Sequence, residues 1–338
     1  MKALILDGDG RSHIGEVPDP VAGEGEVLVA MRCSGICGSD LVYYHMSSDQ
    51  LDRMGNRIPC HEPSGVVVDI GTGVTSLQPG DRVSVYHYFS CGKCRECRRG
   101  QMQWCAQTRG LGGPIQGSAA DLMVVPERNA MKLPDSLSFV DGALIACGAG
   151  TSFSAMNKLQ PSTRDTLLVL GLGPVGLCGV AMGKALGARV VAVGKRQPRL
   201  QLASLFGADV VIDIAQTENV PKAIREACKA PTLVYETSSA PQARQWAVDT
   251  CARGGKICTV AGRGEPGWPA GPIVGKEITL QGSFVLPVWM VFDLIKFLVE
   301  KDLKLDRMVT HRFPIDRADE ALALFETKEC GKVVIEWE

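Results

Sequence analysis

The sequence predicts an α/β protein in which a doubly wound parallel sheet is joined to a mostly β region. Three observations carry this. Between about residues 149 and 288, short apolar runs alternate with helical stretches. Residues 1–148 instead hold β-type runs punctuated by Gly and Pro turns. The composition is globular: 45% of the 338 residues are hydrophobic and 22% charged, which excludes a disordered chain. With 36 basic and 37 acidic side chains the net charge is −1, so charge gives no case for a nucleic acid or a membrane surface as partner.

The N-terminal run Met1–Asp7 is too short and too soon charged for a signal peptide, so a cytoplasmic protein is expected. The 13 cysteines are far too few for a disulfide scaffold, and in a reducing compartment clustered cysteines hold metal or do chemistry. Glu26–Ala30 and Gly65–Asp69 read as strands, with Gly71-Thr72-Gly73 and Pro79-Gly80-Asp81 as turns. Leu167–Leu170, Val190–Val193, Val210–Ile212, Leu233–Tyr235, Lys256–Val260 and Ile278–Leu280 read as strands buried on both faces, because they are solid apolar runs. The long uncharged stretch Thr166–Gly183 is broken by Gly171, Gly173, Pro174, Gly176 and Gly179. It is a strand running into a buried helix rather than a membrane span. Val288, Val291, Phe292, Ile295 and Leu298 then recur at helical spacing. A second helix, about Asp316–Thr327, leads into a strand Lys332–Glu336.

Two tracts carry chemistry by their spacing. Gly171-Leu172-Gly173-Pro174-Val175-Gly176 follows a strand and opens a helix, the context that turns a weak GxGxxG match into a dinucleotide-binding Rossmann turn. Gly171 permits the turn, Gly173 lets the backbone approach a pyrophosphate, and Gly176 lets the helix pack on the strand. The plainer alternative is a tight turn with no ligand. The following strand ends at Gly194-Lys195-Arg196, where an NAD site normally has an acid for the ribose. Glycine leaves room for a 2′-phosphate and the two cations neutralise it, so NADP(H) is expected in preference to NAD(H). The second tract is Cys91, Cys94, Cys97 and Cys105, spaced CxxCxxCx7C. Four thiolates in one loop close a tetrahedral zinc site with no open position, hence a structural one. An iron–sulfur cluster and a zinc finger are the alternatives, and the near-zero net charge counts against the second.

Cys37-Gly38-Ser39-Asp40 and Cys60-His61-Glu62-Pro63 are uninformative singly, since a lone Cys or His is usually a core residue. In order with the cysteine cluster and the nucleotide turn, they make the chain resemble the zinc-dependent medium-chain dehydrogenase/reductase family, that of the alcohol, sorbitol and threonine dehydrogenases. The resemblance spans nearly the whole chain. It implies a mostly β GroES-like catalytic domain, 1–148 and 289–338, around a dinucleotide-binding domain, 149–288. It also implies a second, catalytic zinc held by Cys37, His61 and Cys147, making two zinc ions per chain. Asp40 would orient His61, and Glu62 would lie near the metal as an exchanging ligand or an ordinary neighbour. Thr151 would pack on the nicotinamide and Lys332 would meet the pyrophosphate. Zinc lowers the pKa of an alcohol, Ser39 takes its proton, and hydride moves reversibly between the carbinol carbon and the nicotinamide.

Three departures from the family pattern stand out. Val42 replaces a relay histidine, leaving Tyr43, Tyr44 or His45 as proton exits, with His45 more simply a surface residue. Cys60 replaces a glycine, and Gly194-Lys195-Arg196 replaces an acid. Pocket residues are expected in Tyr43–Tyr44, Tyr86–Phe89, Trp104–Leu111 and Phe284–Trp289, a mix that suits a secondary alcohol, a polyol or a cyclic ketone. A homodimer or homotetramer paired through an edge strand at Ile278–Val285 is expected. The competing readings are a zinc-free quinone or enoyl reductase and a nucleotide-binding redox sensor.

Overall fold

The computed structural model describes residues 1–262 and 267–338. The chain divides into two compact units: Met1–Cys147 with Pro287–Glu338, and Gly148–Leu286.

In the second unit, six parallel strands lie in the order Val210–Asp213, Arg189–Gly194, Thr166–Leu170, Leu233–Glu236, Lys256–Thr259, Thr279–Gly282. In chain order this is 3-2-1-4-5-6, the doubly wound Rossmann order, in which the direction of strand addition reverses beside the first strand. The strands hold because both faces are covered: Leu167–Leu170 and Val190–Val193 are all buried. Thr166–Leu170 then runs directly into the helix Pro174–Ala185.

In the first unit, the backbone is a seven-stranded sheet running Val309–Pro314, Lys332–Glu336, Glu26–Gly35, Glu62–Ile70, Arg82–Val85, Ala130–Lys132, with Leu122–Pro126 also paired to Glu26–Gly35. Val27, Val29, Met31, Val67, Val83, Val85, Met123 and Val125 form one core, at alternate positions along the longer strands. A second core gathers Leu4, Leu6, Ile36, Tyr44, Leu51, Leu322, Phe325, Val333 and Ile335 under the helix Ala318–Thr327.

Register does the positioning. Gly35, the last residue of its strand, pairs with Glu62, the first of the next, and with Val334 on the other side. Cys37, His61, Glu62 and Lys332 are thereby brought to one end of three neighbouring strands. Cys147 arrives separately, at the end of the helix Phe139–Ala146. A capping box starts that helix, with Ser138 and Asp141 bonding each other's backbone N–H. The second Asp141 oxygen accepts from Leu305 N at 2.8 Å and Asp306 N at 3.1 Å, which ties the returning C-terminal segment to the helix. Ser84 Oγ donates to the Gly142 carbonyl at 2.7 Å and pins the helix to the sheet.

Candidate active site and metal centres

Cys37 Sγ, His61, Glu62 and Cys147 Sγ present ligand atoms all within 4.8 Å of one another. Cys37 and Cys147 face each other across 3.9 Å. A tetrahedral zinc with sulfur at about 2.3 Å sets its sulfurs about 3.8 Å apart, so the pair fits the metal without rearrangement. Asp40 fixes the third donor: its carboxylate, fully buried, lies 2.8 Å from His61 Nδ1. A carboxylate only accepts, so Nδ1 carries the hydrogen and Nε2 is left with a lone pair for the metal. The other Asp40 oxygen accepts from Cys37 N at 2.7 Å, so one side chain orients two ligands. Ser39 Oγ stands 3.4 Å from His61 Nε2 and 3.5 Å from Cys37 Sγ.

The electrostatics are those of a cation site holding a proton in the cation's place. The Cys147 hydrogen bond holds Cys37 well below the ordinary thiol value, while Cys147 is correspondingly pushed up. Burial would lower His61, but Asp40 and the Cys37 thiolate outweigh it and hold the ring well above its usual value. Glu62 is pushed up to about 7 by burial, against the pull of Lys332.

Lys332 departs from expectation. Its side chain has no exposed surface, and Nζ donates to Glu62 Oε2 at 2.6 Å and to the Ile36 carbonyl at 2.8 Å. It is the buried counter-ion of Glu62 rather than a cation presented to a pyrophosphate, because its strand pairing turns it under the metal-ligand cluster. Gly35 makes the room: a Cβ there would lie 2.6 Å from Glu62 Oε2 and 2.9 Å from Lys332 Cε.

Other expected positions resolve in physical terms. Tyr44 and Tyr86 are buried core residues. His45 is exposed, with Nε2 2.8 Å from Glu326 Oε1, so it sits on the surface and away from any relay. Cys60, where the family resemblance implies glycine, has φ +72°, a left-handed backbone that glycine adopts without strain and cysteine adopts at a cost. One residue in the site carried no signal in sequence beyond its place in the Tyr86–Phe89 tract. His87 is buried, with its ring centroid 5.4 Å from that of His61. Burial, with the neighbouring His61 charge, pushes it down to about 3, so it is a neutral imidazole.

The four remaining clustered cysteines form a separate centre. Cys94 and Cys97 Sγ are 3.5 Å apart, Cys91 and Cys105 3.6 Å, Cys91 and Cys97 3.9 Å. These are close to the edges of a ZnS4 tetrahedron. Backbone N–H groups of Cys94 and Gln107 donate to Cys91 and Cys105 sulfurs, favouring thiolates. Such bonds, chiefly from the Lys93 and Cys94 backbone, bring Cys91 down to about 6, whereas burial pushes Cys97 up to about 12. Lys93, Arg95, Arg98 and Arg99 are all exposed around the loop.

In the second unit, Gly171 has φ +97°, and Gly176 approaches so closely that a Cβ would lie 1.9 Å from the Gly171 carbonyl oxygen. A Cβ on Gly173 would meet nothing within 4 Å. Gly173 is the N-cap of the helix and offers no side chain to its first N–H groups, with Pro174 and Val175 next in line. The turn is therefore built at its first and third glycines and left open at its second, where a pyrophosphate would approach. At the next strand end, Gly194 is buried, Lys195 exposed, and Arg196 half-buried at the start of the helix Gln197–Leu205. A Cβ on Gly194 would press on Leu172 at 2.7 Å. An acid stands on the neighbouring strand: Asp213 pairs in register with Gly194, but its oxygens accept from Ala215 N and Gln197.

Residues 23–135 match the alcohol dehydrogenase GroES-like domain, and residues 174–300 match the zinc-binding dehydrogenase domain. The chain is 32% identical to an uncharacterized zinc-type alcohol dehydrogenase-like protein of Escherichia coli (strain K12), over 99% of this chain and 98% of that one. It is 31% identical to an L-threonine 3-dehydrogenase of Francisella tularensis subsp. holarctica, over 100% and 99%. Among solved structures it resembles an alcohol dehydrogenase from Thermus sp. ATN1, with a TM-score of 0.90, 28% identity and 99% of each chain covered.

Proposed function

The chain belongs to the zinc-dependent alcohol dehydrogenase family, and on that premise we propose that it oxidises a secondary alcohol, polyol or cyclic alcohol reversibly to the carbonyl compound, with NADP(H) as hydride carrier. One observation carries the reading: Cys37, His61 and Cys147 converge as three protein donors, while Glu62, the fourth group within reach, is already held by Lys332. Three donors leave one coordination position for substrate, the mark of a catalytic rather than a structural zinc. A bound zinc supplies a Lewis acid that draws electron density from the substrate oxygen.

The chain's own residues supply the rest. Asp40 holds His61 in one tautomer and tethers Cys37, so two ligands are fixed before metal arrives. Ser39 Oγ, beside both ligand atoms, takes the proton of the alcohol in oxidation and returns it in reduction. With Val42 at the position where the resemblance implies a relay histidine and His45 tied to Glu326, Ser39 gives its own hydroxyl proton to water as it takes the alcohol's. Gly171, Gly173 and Gly176, with Pro174 and Val175, cradle the pyrophosphate. Thr151 packs on the nicotinamide. Gly194, Lys195 and Arg196 recognise the 2′-phosphate, Arg196 by a bidentate fork. The cysteines 91, 94, 97 and 105 hold the structural zinc. The thirteen cysteines are all unpaired thiols, in keeping with a reducing cytoplasm. Among the described residues strand Thr279–Gly282 is paired on one side only, which supports a homodimer or homotetramer joined at that edge.

The reading is tested by Cys37→Ser and His61→Ala. Each should lower turnover by about a thousandfold or more, the scale of losing a metal's charge stabilisation, while NADPH affinity holds. Lost NADPH binding would mean that these residues serve folding instead. Nucleotide choice is tested by kcat/KM for the two coenzymes: NADPH should be preferred, and Lys195→Ala with Arg196→Ala should erase the preference. An equal or better NADH efficiency in the wild type contradicts it.

A further inference from the structure

We propose that Thr237 is a positioning residue for the coenzyme: its hydroxyl pins the Gly171 carbonyl and so aims the Leu172 N–H, at the other end of the same peptide plane, at the pyrophosphate. The inference rests on the dinucleotide reading above and deepens it. Strands Thr166–Leu170 and Leu233–Glu236 pair in parallel with Leu170 opposite Glu236, so Gly171 and Thr237 leave the sheet side by side. Here the strand order reverses, and such a crevice is where an open parallel sheet takes its ligand. Thr237 N donates to the Leu170 carbonyl at 2.9 Å, so that oxygen already has a partner. The Thr237 hydroxyl lies 3.1 Å from the same oxygen and 2.9 Å from the Gly171 oxygen, where its bond adds a new tie. A trans peptide is planar, with its C=O and N–H on opposite sides. Fixing the Gly171 oxygen therefore fixes the direction of the Leu172 N–H. That N–H takes no partner among the described residues, so it is open to one from outside the protein.

Thr237 is itself held in place. The preceding residue, Glu236, has no exposed surface. Its Oε1 accepts from Ser238 N at 2.7 Å, Ser238 Oγ at 2.8 Å and Ser239 N at 3.1 Å. Its Oε2 accepts from Thr259 Oγ1 at 2.9 Å, on the adjoining strand. These bonds hold Ser239 at φ +60°, a left-handed backbone that a residue with a side chain keeps only when its surroundings impose it. Ser238 and Thr237 lie against the glycine turn: a Cβ on Gly171 would be 2.9 Å from Ser238 Cβ and 2.8 Å from Thr237 Oγ1. The branched Cβ of Thr237 restricts its rotamer as well. The hydroxyl therefore meets Gly171 before any coenzyme arrives, and binding does not have to order it.

Two variants separate the hydroxyl from the shape of the side chain. T237V keeps the shape and deletes the donor; T237S keeps the donor and deletes the methyl. Calorimetry reads the binding of NADPH, of NADH and of adenosine 2′-phosphate, which carries the ribose and its phosphate but no pyrophosphate. Melting temperature is followed in parallel. T237V should weaken both coenzymes by about tenfold, the scale of one hydrogen bond. It should leave the ratio between them and the affinity for adenosine 2′-phosphate unchanged, and raise KM for the coenzyme while kcat at saturation holds. T237S should bind all three as the wild type does. A merely structural threonine would instead lower the melting temperature and weaken all three ligands together. Unchanged coenzyme affinity in T237V, an equal loss on adenosine 2′-phosphate, or a T237S as weak as T237V overturns the proposal; if T237V does not fold, T237A is put to the same comparison and decides. A wild type that binds neither coenzyme would contradict the dinucleotide reading itself. A wild type that prefers NADH would contradict only the 2′-phosphate assignment, and the two coenzymes would still decide on Thr237.

Discussion

Lys332 and Glu62 are a buried ion pair with at most 1% of either side chain exposed, set directly against the metal ligands. Removing one partner of such a pair leaves an uncompensated charge, at a cost of about 3–5 kcal/mol. K332M should therefore lower unfolding stability by about that amount, and the double variant K332M/E62Q should recover most of it. Denaturant melts check this. A variant with unchanged stability and weakened NADPH affinity would instead restore Lys332 to the pyrophosphate. The residue was misread from sequence because a lysine opening a strand looks the same whether it points at a ligand or under a sheet; strand register decides, and register is a long-range property. Cys37 and His61 were legible through short motifs in a fixed order. His87 was not, because an isolated histidine two residues past a strand has no pattern, and its place beside His61 is visible only once its neighbours are placed.

At the scale of elements, the glycine-rich turn divides into structural and open positions. G176A should disrupt the turn, because its Cβ would fall 1.9 Å from the Gly171 oxygen. G173A should leave the melting temperature unchanged yet weaken NADPH by about tenfold, since its Cβ enters the open space a pyrophosphate would fill. Equal effects of the two on stability would contradict this division. G194D puts back the acid that an NAD site normally has at this strand end, but it must also displace Leu172, so it should weaken both nucleotides while shifting the preference toward NADH. The cysteine lobe is the second such element. With Cys97 pushed up to about 12, its thiol is protonated at neutral pH without metal, so zinc uptake releases a proton. Zinc affinity should then fall as pH falls, most steeply once Cys91 also protonates, near 6. Titration with a competing chelator between pH 8 and pH 5 reads this, and a pH-independent affinity would contradict thiolate ligation. These elements were legible because alternation and spacing are local. The strand and helix ends moved by up to five residues, as where the strand read over Glu26–Ala30 runs on to Gly35, and the paired helix caps at Ser138 and Asp141 were not read at all.

For the whole molecule, the alternation of apolar runs and helices predicted a doubly wound sheet, and the strand order 3-2-1-4-5-6 is that sheet. The first unit was harder to read. Its strands are irregular, its sheet includes a strand from the far end of the chain, and the contact that makes the metal site coherent, Gly35 opposite Glu62, joins residues 27 positions apart. What sequence conveyed there came from motif order and resemblance rather than from periodicity. The same chain gathers two sets of metal-ligating side chains of different character, one of four sulfurs and one of two sulfurs and a histidine beside Glu62, and the proposed function makes the first a closed zinc site and the second one left a ligand short. That difference is the central claim, and C37S tests it most directly. Zinc per chain and NADP-linked oxidation across a panel of secondary alcohols, polyols and cyclic alcohols, measured on the same preparation, should show the four-sulfur zinc retained, the other zinc lost and turnover lost. Wild-type turnover in a variant that has lost that zinc would contradict the account.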